Sequence, residues 1–114
     1  MILVDIKNCL RAVTSKTYHY TAPKGTLFPY IVWAEDGQTD ALHGDGKMIE
    51  QAMGGTIDYF TKIEYDPVLK TIQTALNNAG IGFRLNSVQT EKDPSTGIVI
   101  CIHHEWVFDI PTEV

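Results

Sequence analysis

Residues 97–110 read GIVICIHHEWVFDI, and apolar positions recur at every second residue. Ile98, Ile100, Ile102, His104, Trp106 and Phe108 fall on one side; Val99, Cys101, His103, Glu105 and Val107 fall on the other. Successive side chains of a strand leave opposite faces of a sheet, so this alternation predicts one long strand, closed by Pro111. The preceding run 81–91 is separated from it by KDPSTG, where Asp93-Pro94-Ser95 supplies turn chemistry, and the two runs read as a hairpin.

The same alternation settles how the two adjacent histidines are used. His103 and His104 point to opposite faces and cannot share one tetrahedral ion. His104 belongs to the apolar row, as a core or interface histidine. His103 and Glu105 share the outward polar row, but two ligands do not make a metal site, and His19 or His43 would have to complete it. The expectation is therefore no tight zinc, no metal ligands and no cofactor.

Helical signals stand at two places. Leu3, Ile6, Leu10 and Val13 step at three- and four-residue intervals, with Asp5 early and Arg11 late, as the helix dipole favours. Residues 63–80 hold the clearest element. Asp66 is the N-cap candidate, Pro67 suits the first helical position, and Leu69, Ile72, Leu76 and Ala79 line one face. Gly80 suits the left-handed residue that ends it.

Between the helices, FPYIVWAE (28–35) reads as a strand that begins at Pro29 or lies at a sheet edge, with Phe28, Tyr30 and Val32 on one face and Ile31 and Trp33 on the other. Residues 56–60 alternate similarly, and Gly54–Gly55 mark a bulge or a close backbone approach. Tyr18 and Tyr20 alternate around His19, which leaves room for a short extended piece. Residues 36–47, DGQTDALHGDGK, carry three glycines and three aspartates and read as an acidic loop. The expected fold is a single α+β domain over 1–114: a two-layer sandwich of four mostly antiparallel strands with two helices on one face, in the order α-β-β-α-β-β.

Composition narrows the function. The formal charge is −5, with only nine Lys and Arg, which argues against a binder that works by neutralising phosphates. No apolar run approaches the ~20 residues of a membrane span, and Asp5 and Lys7 interrupt the N-terminal stretch, so neither a span nor a signal peptide is expected. Cys9 and Cys101, 92 positions apart, form no metal spacing and read as buried free thiols, suited to a reducing compartment.

Motifs for chemistry are weak. HGDGK (43–47) lacks the upstream glycine and the Ser or Thr of a phosphate loop. Asp36, Asp40 and Asp45 lack the spacing of a calcium loop. Neither cysteine sits in an electropositive setting, and Glu64 with Asp66 is explained by helix capping. No catalytic residue is assigned, and the chain reads as a non-enzyme.

Several stretches together carry a family likeness. GGTIDYFTKIEYDPVLKTIQTALNNAGIGFRLNSV, a polar turn and IHHEWVFDI resemble the tail-completion, or tail-terminator, proteins of long-tailed bacteriophages and prophages, over about residues 26–110. GTIDYFTK…YDP is the most distinctive part, and the HxEW pattern of the last strand the next. The acidic stretch 36–47 is not among the residues that carry the likeness.

The resemblance implies a structural role in the virion, taken up after synthesis in the host cytoplasm. Such a protein caps the head-proximal end of the tail tube as a ring, commonly of six, and joins it to the head connector. Its partners would be copies of itself, the major tail tube protein and the head-closure protein, with no sequence-specific nucleic acid and no membrane. An acidic ring channel would let DNA pass without adhering. Residues 36–47 would be a docking element that orders on assembly, so Asp36, Asp40, His43, Asp45 and Lys47, together with His103 and Glu105, are the expected interface. Two alternatives are a head-closure or neck component, and a small metal-dependent enzyme using His43, His103 and Glu105.

Overall fold

The computed structural model of the chain describes residues 3–44 and 47–113, and for 38–44, 47–51 and 112–113 it describes the backbone alone. Helix α1 (Leu3–Val13) is followed by strands β1 (Thr17–His19), β2 (Tyr30–Gly44) and β3 (Lys47–Thr61), helix α2 (Val68–Asn78), and strands β4 (Gly82–Lys92) and β5 (Val99–Glu113). The strands form one sheet in the order β1-β2-β3-β5-β4. β1 runs parallel to β2; every other pair is antiparallel.

Both helices form as their apolar spacing predicts, with Ile6 and Leu10 of α1 and Ile72 and Leu76 of α2 buried. They cover one face of the sheet. Ile31 and Trp33 from β2, Ile57 and Tyr59 from β3, and Trp106, Phe108 and Ile110 from β5 complete the core. Register makes this one layer: Ile31 stands opposite Tyr59, Trp33 opposite Ile57, and Ile57 opposite Trp106. Full burial of each such side chain contributes roughly 1.5–3 kcal/mol. A polar end buried with them is satisfied, since Trp106 Nε1 donates to Gln73 Oε1 on α2 at 3.1 Å.

Asp66 ties the sheet to α2. It is 4% exposed. Its Oδ1 accepts from the Val68 N–H at 2.9 Å, and its Oδ2 accepts from Tyr59 Oη and Thr61 Oγ1, each at 2.7 Å. Pro67 already has helical angles (φ −65°, ψ −17°), so Asp66 serves as the N-cap and Pro67 as the first helical residue. At the other end Gly80 takes φ 71°, its N–H donates to Asn77 O, and the Ile81 N–H donates to Leu76 O. That is the 6→1 and 5→2 pattern of a Schellman end.

Three expectations are corrected. The sheet has five strands, not four, and is mixed, so the order is α-β-β-β-α-β-β. The added strand is the short piece around His19, paired as Thr17–Ile31, Tyr18–Val32 and His19–Trp33. Three residues carry no period. The pairing is secured from outside the strand, by Thr17 Oγ1 donating to Thr14 O at 2.7 Å at the end of α1.

Residues 36–47 are not a loop where the structure describes them. Wherever described they continue β2 and β3 as a long hairpin, paired down to Gly44–Lys47. A ribbon of this kind satisfies its backbone through the ladder and needs no apolar alternation. Its irregular composition is absorbed by register shifts between Glu35 and Gly37, Gln38 and Asp40, and Leu42 and His43.

β5 does not stop at Pro111 but runs on to Glu113 beside β3. The β4 pairing ends at Asp109, so from there one side of β5 has no paired strand among the described residues, and a missing donor on that side costs no ladder bond. The result is an arm of β2, β3 and β5 reaching beyond the helices, in a molecule of 61 × 26 × 24 Å.

Gly55 is the pivot where the arm leaves the body. A Cβ there would stand 2.1 Å from Ala34 O and 2.6 Å from the Phe108 ring, the close approach expected of this glycine pair. The bulge sits across the ladder at Asp36, between the pairs Glu35–Gly55 and Gly37–Gly54.

Candidate functional site

The face of the sheet away from the helices carries the outward rows of β2, β3, β5 and β4. Tyr30, Phe60, His103 and Gln89 are in register across it, as are Val32, Asp58, Glu105 and Ser87 one step along. Rings form a continuous stack: Phe28 on Tyr30 at 5.6 Å, Tyr30 on Phe60 at 4.8 Å, and Phe60 on His103 at 4.4 Å. Lys62 Nζ lies 5.6 Å from the Phe28 centroid.

His103 is thereby fixed in orientation, and its Nε2 lies 2.6 Å from Asp58 Oδ1. Glu105 stands directly across from Asp58. It is held by Asn86, whose Nδ2 donates to Glu105 Oε1 at 2.9 Å, and Asn86 in turn accepts from Arg84 Nη1 at 3.3 Å. Ligand atoms of Asp58, His103 and Glu105 all lie within 4.8 Å of one another, and all three residues are half-buried.

The electrostatics follow from that crowding. Burial, and a hydrogen bond shared with Glu105, push the Asp58 carboxyl up to about 6, against the pull of His103. The same hydrogen bond, with that from Asn86, holds Glu105 below the usual carboxylate range. Two carboxyls thus stand beside one imidazole, the charged form disfavoured in Asp58 and favoured in Glu105. Such a trio can pass a proton or hold a cation.

A groove of about 600 Å³ opens over the trio. Its far wall is the connection 20–26, because β1 and β2 are parallel and the chain must cross the sheet to join them. Tyr30, Val32 and Phe60 form the floor.

The expected interface residues separate. His103 and Glu105 come together as the shared outward row requires, and His104 lies on the helix side. Burial and the neighbouring His103 lower the affinity of His104 for a proton, while Asp66 acts in the opposite sense. Asp36 is exposed at the bulge and lines a different groove with Gly55, Arg84 and Asp109. Asp40, His43 and Lys47 lie on the backbone of the arm; their side chains, and Asp45 altogether, lie outside the described residues.

His19 does not join His103. It stacks between Tyr20 at 3.8 Å and Trp33 at 3.9 Å, with Nε2 at 2.7 Å from Glu35 Oε2. Tyr20 Oη donates to the same carboxylate. Partial burial works against ionisation of Glu35, but the hydrogen bonds from Tyr20 and His19 hold it low. That cluster fastens the start of the 20–26 connection to β2.

Asp58, Phe60 and Asn86 were missed in the sequence. The signal for the first two was present, since both alternate with the core residues Ile57 and Tyr59; the register that brings them to His103 was not.

A second exposed feature lies at the sheet edge. β4 has no neighbour on its outer side among the described residues, and Leu85, Val88, Ile98 and Ile100 are exposed on and beside it. Cys9 and Cys101 are both free, and burial raises both thiols above their ordinary value. Among the described residues no helix is long and apolar enough to cross a membrane. No protein-family model matches the chain, and none of the curated proteins searched matches it.

Proposed function

We propose that this chain is a virion assembly protein that caps the head-proximal end of a phage tail tube as a ring, commonly of six, and joins it to the head connector. It acts through shape and contact surface, without a catalytic centre. The observation that carries the reading beyond the sequence likeness is the β4 edge, which has no paired strand on its outer side among the described residues. Eleven residues of open strand flanked by exposed Leu85, Val88, Ile98 and Ile100 are a liability in a monomer and a contact surface in an assembly.

The opposite edge, β1, is three residues long and unlike β4. Two unlike edges suit a head-to-tail contact, in which one patch meets a different patch and a ring closes. The β2–β3–β5 arm reaches beyond the helices and offers a surface for the tube or the connector, in place of the flexible loop that composition suggested. The formal charge of −5 supports a channel that DNA traverses without sticking.

Electron microscopy of tails from a strain lacking the gene tests the reading. Tails of irregular length without heads are the expected result. Tails of normal length carrying heads would overturn it.

A further inference from the structure

We propose that Asp58, His103 and Glu105 form a binding site for one divalent transition-metal ion, facing the groove beneath residues 20–26. Three features carry it. The donor set is one imidazole nitrogen and two carboxylates, projected from two neighbouring strands, with ligand atoms already within 4.8 Å of one another. One imidazole with two carboxylates suits zinc, manganese or iron(II) better than a thiolate-selecting ion.

The donors are also held in place without a metal. Phe60 stacks on the His103 ring at 4.4 Å, and Asn86 fixes Glu105 Oε1 at 2.9 Å. Outer partners of this kind are what orient ligands in metal sites. Finally, two carboxyls meet here, yet among the described residues no lysine or arginine forms an ion pair with either. A divalent cation supplies the counter-charge that no described lysine or arginine provides by direct pairing.

The groove of about 600 Å³ leaves space beside the trio for water or an oxygen-donor ligand to complete the coordination shell. Sequence spacing offered only His103 and Glu105; the third donor comes from β3.

The test is titration of the purified, chelator-treated full chain with Zn²⁺ by calorimetry, and with Co²⁺ by visible absorption. One equivalent should bind saturably, and Co²⁺ should show the ligand-field bands of an ordered site. His103→Ala and Glu105→Gln should each weaken binding by about tenfold or more, while Asp36→Asn should leave it unchanged. Asp58→Asn keeps the side-chain shape and should weaken binding in the same way, so a misfolded His103 variant would not decide the matter. Absence of saturable uptake of either ion by the wild-type chain, or uptake unaffected by Glu105→Gln and Asp58→Asn, would overturn the site. Neither result depends on whether the chain caps a tail.

Discussion

His103 and Asp58 meet across the β3–β5 ladder, Nε2 to Oδ1 at 2.6 Å, while the next residue along the chain, His104, lies on the opposite face beside the helices. One strand thus delivers its two histidines to two unrelated surroundings. His103 joins a polar trio under a groove, and His104 packs toward Trp106 with ring centroids 6.3 Å apart. A pleated backbone makes any shared role for the two impossible without breaking the strand.

The buried carboxylate of Asp66 sets the first prediction. Asp66→Asn loses an acceptor for one of the three donors aimed at it by Tyr59, Thr61 and Val68. An unsatisfied buried donor costs about 1–3 kcal/mol. Urea unfolding should show the midpoint falling with an unchanged slope. A midpoint equal to that of the wild type would contradict the role given to this residue.

The same residue fixes a pH dependence. Burial opposes ionisation of Asp66, but hydrogen bonds from Thr61, Tyr59 and the Val68 N–H hold its folded pKa below the ordinary value of 3.8. A depressed carboxyl contributes stability above its unfolded pKa and loses it as pH falls through the folded one. Stability of the wild-type chain should therefore drop below about pH 4, and the drop should be shallower in Asp66→Asn. Parallel acid limbs for the two proteins would speak against it.

Gly55 allows a sharper test of the pivot. Adding one methyl group there meets Ala34 O and the Phe108 ring at distances no side chain tolerates, and the Ala34 oxygen belongs to rigid backbone. Gly55→Ala should destabilise by about 1–3 kcal/mol, the usual cost of overpacking. Thermal unfolding indistinguishable from wild type would show that the strands are not so close.

For the arm, residues 41–51 can be replaced by Asn-Gly, which leaves the Asp40–Ala52 pair to close the hairpin with a preferred two-residue turn. The shortened protein should keep its circular dichroism, because the helices pack on the core of the sheet body. Complementation of a gene-deleted phage with it should fail to restore head-bearing tails. Full restoration would remove the arm from the docking surface.

Much of this fold is legible in the residues themselves. The alternation of 97–110, the stripe of α1 and the caps of α2 are local signals, and each names its own element. Asp93 likewise announces its turn, its Oδ1 accepting from Ser95 and Thr96 N–H. What escaped depends on partners far along the chain. β1 exists because Thr17–His19 finds Ile31–Trp33, and nothing inside three residues encodes that. The acidic stretch reads as a loop because a two-stranded ribbon is held by its backbone pairing, and its composition is free to look irregular. The polar trio was half visible: His103 and Glu105 share a face by parity, whereas Asp58 joins them only through the pairing of Asp58 with Glu105.

The open edge gives the final and most direct test. Leu85 and Val88 are each about half exposed on β4, so Leu85→Lys with Val88→Lys should change stability by no more than about 0.5 kcal/mol per site. Cryo-electron microscopy of purified tail tubes incubated with the wild-type protein should show a closed ring of subunits at one end of each tube, and bare ends with the double lysine variant. Bare ends with the wild type, or rings that form equally well from the variant, would contradict assembly through this edge.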